Sequence, residues 1–387
     1  MKITEIRPWI VDVAGRDEGS NAGRRPAKAL VFVEVSTDEG ITGWGEITTY
    51  PGDVANRAVT GMVRDSAELL LGEDPSRIEA LWNKLFRQFT YVGTRGAVSA
   101  VVSSIDIALW DIRGKVLGQP VYKLLGGEVR DRIGLYTHPP RPDTPEQAAA
   151  DAREIVDSGH RALKLDPFWE EMAGKSIAYM DGQISPRIAA KAVEIIAAIR
   201  EEVGPEIEVL IEAHGNFNVP TAVTLANSLA PYGIHWFEEP VPPESYHALS
   251  QVREQVSVPI CVGERLHTRF EFLPILENQL ADFIMPDVTW TGGISELKKI
   301  STMAEAYYVP VSPHDASGPV NVLAGAHVMM TVPNFYKLET SRYRLDAYDA
   351  FIDHPLDVRN GDLYLSDRPG LGVELDKDFL EKNQVGG

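Results

Sequence analysis

Six polar side chains recur at near-equal intervals through the second half of this chain, each closing a short apolar run: Glu212, Glu238, Glu264, Asp287, His314 and Glu339. The intervals are 26, 26, 23, 27 and 25 residues. Each is about the length of one strand, one helix and two loops, and a reactive residue at every strand end is the pattern of a (β/α)8 barrel with its site on the C-terminal rim. Two earlier β-rich runs, closing near Tyr136 and Lys164, bring the count to eight. Crossovers between parallel strands are right-handed, so all the ends face one side and distant residues become neighbours.

A chain of 387 residues is long for one barrel alone, so an attached unit is expected. Residues 1 to about 50 read as antiparallel strands, KITEIRPWIV, KALVFVEVST and ITGWGEIT. Between the first two lies GRDEGSNAGRRPAK, too polar to pack a core and therefore either a disordered loop or a flap. Helical spacing follows at 53–71, 75–90 and 96–117, with Asp74 and Pro75 expected to open the second helix as cap and first position. The 48-residue interval from Lys164 to Glu212 carries an insertion with Phe168, Trp169 and Tyr179, expected to extend over the rim.

Charge and cysteine content narrow the partners. A net charge of −19 repels phosphate backbones and anionic lipid, and Arg16, Arg24 and Arg25 are too few to make a basic patch, so neither nucleic acid nor a membrane is an expected partner. Cys261 is the only cysteine, which excludes an internal disulfide and a cysteine-built metal site. No apolar stretch reaches about 18 residues and the N-terminus lacks a basic start, so a soluble cytoplasmic protein is expected.

Glu212, Glu238 and Glu264 on adjacent strand tips would repel one another unless a cation lay between them. Mg²⁺, a hard ion that takes oxygen ligands and retains positions for water and a substrate carboxylate, answers that need, one per subunit. Asp287 and His314 close successive runs, and an aspartate behind a histidine fixes its tautomer and strengthens it as a base; a buried structural histidine is the alternative. His214, two residues past Glu212, is either a proton donor on the rim or a solvated loop histidine. Lys164 is either a counter-charge for developing negative charge, a base if desolvated, or a structural salt-bridge partner.

The segment SSIDIALWDIRGKVLGQPVYKLLGG at 103–127, followed in order by WFEEP, VGER, PDVTWTGGISE and SPHDASGP, resembles the enolase superfamily, in particular its mandelate racemase subgroup, over essentially the whole chain. The resemblance implies an α/β fold: a modified (β/α)7β TIM barrel at 129–345, an α+β capping domain at 1–128, and a C-terminal segment at 346–387 that returns to the cap. It also implies Mg²⁺ on Glu212, Glu238 and Glu264, a base dyad of His314 with Asp287, and Glu339 as an acid that, if protonated, hydrogen-bonds an enediolate oxygen. His214 resembles the histidine with which acid-sugar dehydratases protonate a departing 3-hydroxyl. Two positions depart from the pattern: Glu212 stands where aspartate is more usual, and RALKLD has Asp166 where a second, base-acting lysine would stand.

One strong base, one metal and one acid make β-elimination of water from a sugar acid, giving a 2-keto-3-deoxy acid, the simplest assignment. A cycloisomerase or epimerase shares the first half-reaction, and a non-catalytic acid-sugar binding protein is the remote alternative. Arg16, Arg24, Tyr136, Asp166 and Trp290 are the candidates for contact with the small-molecule sugar acid, with His138 beside Tyr136. A homo-oligomer is a family expectation.

Overall fold

A computed structural model of the protein describes residues 1–13, 29–48, 53–170, 181–340 and 345–385. Arg16, Arg24, Arg25 and Tyr179 lie outside the described residues. The chain begins with an antiparallel sheet of β1 (Ile3–Val11), β2 (Leu30–Thr37) and β3 (Thr42–Ile47), in that order. Period-two alternation sends β2 into two cores at once: Leu30 and Phe32 join the large barrel core, while Val31, Val33 and Val35 face the helices of the N-terminal unit. The helix Ala97–Leu117 lies directly on β3, so close that a Cβ on Gly43 or Gly45 would come within 2.1 or 1.9 Å of a carbonyl oxygen of Ala108 or Ser104. The GWG of β3 is therefore a packing requirement.

Eight parallel positions close the barrel. β4 (Ile133–Thr137), β5 (Ala162–Leu165), β6 (Glu208–Glu212), β7 (Trp236–Glu238), β8 (Ile260–Val262) and β9 (Phe283–Ile284) pair in sequence. Val311 bridges Ile284 to Phe335, and β10 (Leu338–Thr340) pairs back onto β4. Inward-facing residues fill the barrel in layers: Ala162, Leu210, Trp236, Cys261 and Met285 form an apolar floor with Tyr136. Two residues further along three of these strands the same face carries Lys164, Glu212 and Glu238, all buried. The spacing in sequence thus becomes a charged layer on an apolar one.

Three local expectations change. The second helix begins at Ile78, and Asp74 instead closes the turn before it, its carboxylate accepting from Ser76 N at 2.9 Å and its carbonyl from Arg77 N at 3.1 Å. Phe168 is not over the rim: it is 1% exposed, edge-on to Phe217 and Phe237 at 5.1 and 6.2 Å, inside the barrel wall. The tail divides its contacts. β11 (Asp357–Arg359) and β12 (Asp362–Tyr364) form a hairpin that adds to β4, whereas Asn383 and Val385 bond back to Asp12 and Ile10 on the N-terminal sheet. Among the described residues no helix is long and apolar enough to cross a membrane.

Candidate active site

Ligand atoms of Glu212, Glu238 and Glu264 all lie within 4.8 Å of one another, and all three residues are buried. The chain turns sharply just past each strand to present them. His214 and Glu239 adopt positive φ (51° and 42°), and Gly263 has φ 140° where a Cβ would meet Met285 N at 2.9 Å. Left-handed backbone at non-glycine residues costs about 1–3 kcal/mol each and persists where the surroundings impose it, as they do at functional sites. Glu239 accepts from Gly263 N at 2.8 Å; burial, only partly offset by Arg265, pushes it up to about 7.

Lys164 is the counter-charge inside the cluster. Its Nζ lies 2.6 Å from Glu238, 2.7 Å from Glu339 and 3.4 Å from Glu212, with the side chain 2% exposed. Burial opposes its charge, but Glu238 and Glu339 outweigh burial and hold its pKa well above the ordinary lysine value, so in the metal-free cluster it is a cation. Between Glu212 and Glu238 the charge is shared unequally: burial and repulsion from Glu212 push Glu238 up, whereas His214 and Lys164 hold Glu212 low against its own burial. Glu212 Oε2 is buried and accepts no well-formed hydrogen bond, its nearest charge being Lys164 Nζ at 3.4 Å. A set of three carboxylates with an undonated oxygen fits a hard divalent cation, which takes oxygen ligands.

On the next two barrel positions stand Asp287 and His314. Nδ1 of His314 lies 2.7 Å from Asp287 Oδ2, and its Nε2 lies 3.3 Å from Glu264 Oε2. Burial alone would lower the ring; Glu339, Glu264 and Asp287 overcome it and raise it to about 10. A cation on the cluster subtracts the pull of Glu264 and so favours the neutral, basic form of the ring. Trp290 stacks parallel on His314, centroids 5.9 Å apart at 3°. Behind the dyad, Thr289 N and Oγ1 both donate to Asp287 Oδ1 at 2.7 Å, and Thr48 of the N-terminal unit meets Thr289 Oγ1 at 2.8 Å. Asn321 Nδ2 completes the group, 3.3 Å from Thr48 Oγ1 and 3.5 Å from Asp287 Oδ1. Thr48, Thr289 and Asn321 were not among the expected site residues. Thr289 sits inside the PDVTW motif two residues past Asp287, and that adjacency was the available signal.

On the other flank, His214 Nδ1 lies 2.9 Å from Asp166 Oδ2, and His214 N donates to Glu212 Oε1 at 2.6 Å. Burial acts to lower this ring as well, but Glu212, Asp166 and Glu264 raise it to about 9, and a cation on the cluster would subtract the pull of Glu212 and Glu264 while leaving that of Asp166. Arg265 pairs with Glu264 at 3.4 Å and donates to the carbonyl of His214. Glu339 is surrounded by donors: Tyr136 Oη at 3.1 Å, His138 Nε2 at 2.5 Å and Lys164. Lys164 and His314 hold Glu339 ionised despite burial, so in this arrangement it is a carboxylate without a proton to give. Tyr136 is fully buried with its hydroxyl engaged by that carboxylate, and both Asp166 oxygens are likewise engaged, Oδ1 by Phe168 N at 2.8 Å. The site thus gathers the three glutamates, both histidines with their aspartates, Lys164, Glu339 and Trp290.

Comparison with known proteins identifies the family of the fold. Residues 147–379 match the model of the enolase C-terminal domain-like family, and residues 20–126 match that of the mandelate racemase / muconate lactonizing enzyme N-terminal domain. A D-galactonate dehydratase family member from Streptomyces bingchenggensis is 36% identical over 371 residues, 91% of this chain and 89% of the relative. A D-xylonate dehydratase from Haloferax volcanii is 34% identical over 390 residues, 100% of this chain and 90% of its own. Among solved structures, an enolase superfamily member from Salmonella Typhimurium superposes with a TM-score of 0.88 at 33% identity, covering 98% of both chains. A mandelate racemase/muconate lactonizing enzyme-like protein from Rubrobacter xylanophilus gives 0.87 at 35%, covering 99% of this chain and 97% of that one. By sequence and by fold, this chain belongs to the mandelate racemase and muconate lactonizing branch of the enolase superfamily.

Proposed function

We propose that the protein is a Mg²⁺-dependent acid-sugar dehydratase, converting an aldonic acid to its 2-keto-3-deoxy acid. The observation that carries this reading is the pair of aspartate-backed histidines, His314 with Asp287 and His214 with Asp166, flanking one buried carboxylate cluster. Elimination of water needs a base at C2 and an acid at the C3 hydroxyl, and these two rings stand on either side of the cluster that would hold the substrate carboxylate. Glu212, Glu238 and Glu264 would bind the Mg²⁺, which supplies positive charge against the negative charge that builds on the substrate carboxylate. His314 takes the C2 proton, with Asp287 holding its Nδ1. The electron pair forms the C2–C3 double bond, the C3–O bond breaks, and His214 delivers its proton to the leaving hydroxyl, releasing water. The enol then tautomerises to the keto acid.

An epimerase would need a second base on the opposite arc. Lys164 is sunk among Glu238, Glu339 and Glu212, and Asp166, where a second base-acting lysine would stand, is paired with His214, which favours elimination. Relatives named for D-galactonate and D-xylonate support an aldonic acid as the substrate class. The test is incubation of the protein and Mg²⁺ with D-galactonate, D-xylonate and a wider set of aldonic, uronic and aldaric acids, assayed for 2-keto-3-deoxy acid. A product that falls by about 10²- to 10⁴-fold in His314→Asn is expected. An isomerised acid with no keto product would instead make the protein a cycloisomerase or epimerase.

A further inference from the structure

We propose that Asp166 is the positioning residue of His214, making Asp166–His214 a proton-donating dyad that mirrors the base dyad Asp287–His314; this rests on the dehydratase reading above. Lys164 and Asp166 lie two residues apart at the end of β5, and they do different work. Lys164 is sunk among carboxylates, whereas Asp166 turns to the strand-end loop of β6 and meets His214 Nδ1 at 2.9 Å.

Both partners are held in place independently of that contact. The Asp166 carboxylate, 8% exposed, is fixed through its other oxygen by the amide of Phe168 at 2.8 Å, and the Phe168 ring is wedged edge-on against Phe217 and Phe237 in the barrel wall. His214 is pinned at both ends of its backbone: its amide donates to Glu212 Oε1 at 2.6 Å and its carbonyl accepts from Arg265. What remains is rotation of the imidazole about its own side-chain bonds. The Asp166 contact removes that freedom and places the Nδ1 proton, leaving Nε2 as the nitrogen that can reach substrate. The side chain is 41% exposed, and among the described residues no partner engages Nε2.

The test compares Asp166→Asn and Asp166→Glu with wild type in D2O, following C2 deuterium exchange and dehydration of the same acid. Loss of the donor's orientation predicts that dehydration falls by at least about tenfold in Asp166→Asn while C2 exchange and KM fall far less, with partial recovery in Asp166→Glu. Equal loss of exchange and dehydration would mean that Asp166 merely shapes the Phe168 turn, and an unaffected dehydration rate would equally overturn the proposal. Long-range ¹H–¹⁵N spectra of histidine-labelled protein read the dyad without any substrate. The proposal requires a protonated His214 Nδ1 in wild type that changes in Asp166→Asn, and an unprotonated Nδ1 in wild type would sink it. If wild type dehydrates no acid sugar, the dehydratase reading fails, while the spectra still decide the dyad.

Discussion

Lys164 shows most directly how single residues balance this site. It neutralises a cluster in which Glu212, Glu238 and Glu339 all lie within 3.4 Å of one ammonium group, deep enough that water screens none of them. Removing one member of a buried ionic network typically costs about 3–5 kcal/mol, because the remaining charges stay buried without compensation. Lys164→Met should therefore melt well below wild type in metal-free buffer. Added Mg²⁺ should restore more of the melting temperature in the variant than in wild type, since an ion held by the folded cluster would there replace the missing ammonium as counter-charge. Equal melting temperatures in metal-free buffer would show that Lys164 carries no such burden. Residue identities and spacing were enough to bring the three glutamates, both histidines and Asp287 to one rim, because a barrel converts sequence interval into proximity. They were not enough to assign Asp166, Tyr136 or Glu339 to their partners. Which way each of those side chains turns is set by contacts made across the barrel, such as Tyr136 with Glu339, 203 residues apart.

At the scale of elements, the N-terminal unit is fastened to the barrel through buried carboxylates placed at helix starts. Glu46 on β3 accepts from Ser317 Oγ at 2.7 Å, Gly318 N at 2.6 Å and Asn321 N at 3.0 Å, at the start of the helix Pro319–Met329. Asp106 does the same for the helix Gly293–Ala306 through Ser295 N and Oγ, and burial pushes its carboxyl up to about 7. An anion at a helix start meets unpaired amides and the positive end of the helix dipole. The segment 312–318 carries both His314 and the Ser317 and Gly318 contacts to Glu46, so docking of the two units and placement of His314 are coupled. Glu46→Gln should cost about 1–3 kcal/mol in chemical denaturation, by loss of charge-assisted bonds to buried donors. A change under about 0.5 kcal/mol would mean that the contact is incidental. None of this coupling is visible in the sequence: Glu46 reads as a polar residue near a strand end, and its partners lie more than 270 residues away.

The whole molecule is closed by its tail, and His327 marks the junction. Its Nδ1 accepts from Tyr122 N at 3.3 Å, its Nε2 donates to Leu371 O at 3.1 Å, and it stacks on Tyr122. Burial lowers the ring from 6.5 to about 4, so the fold keeps it neutral whereas the unfolded chain protonates it at the higher value. Its stabilising contribution, about 3 kcal/mol by linkage, is complete above pH 6.5 and disappears as the pH falls through about 4. Wild type should thus lose more stability than His327→Gln between pH 6.5 and 4, and parallel pH curves would contradict that. The two-unit architecture was legible because strand alternation and the helical periods differ so clearly. The hairpin on β4 was not, since nothing in NGDLYLSD says which sheet it will extend. The central claim concerns the whole site: one carboxylate cluster served by a base on one flank and an acid on the other. The most direct measurement is proton NMR of the best aldonic acid in D2O with Mg²⁺ and wild type, His314→Asn or His214→Asn. The account predicts keto acid from wild type, neither exchange nor product from His314→Asn, and C2 exchange without product from His214→Asn. Undiminished elimination by His214→Asn, or retained C2 exchange in His314→Asn, would contradict it.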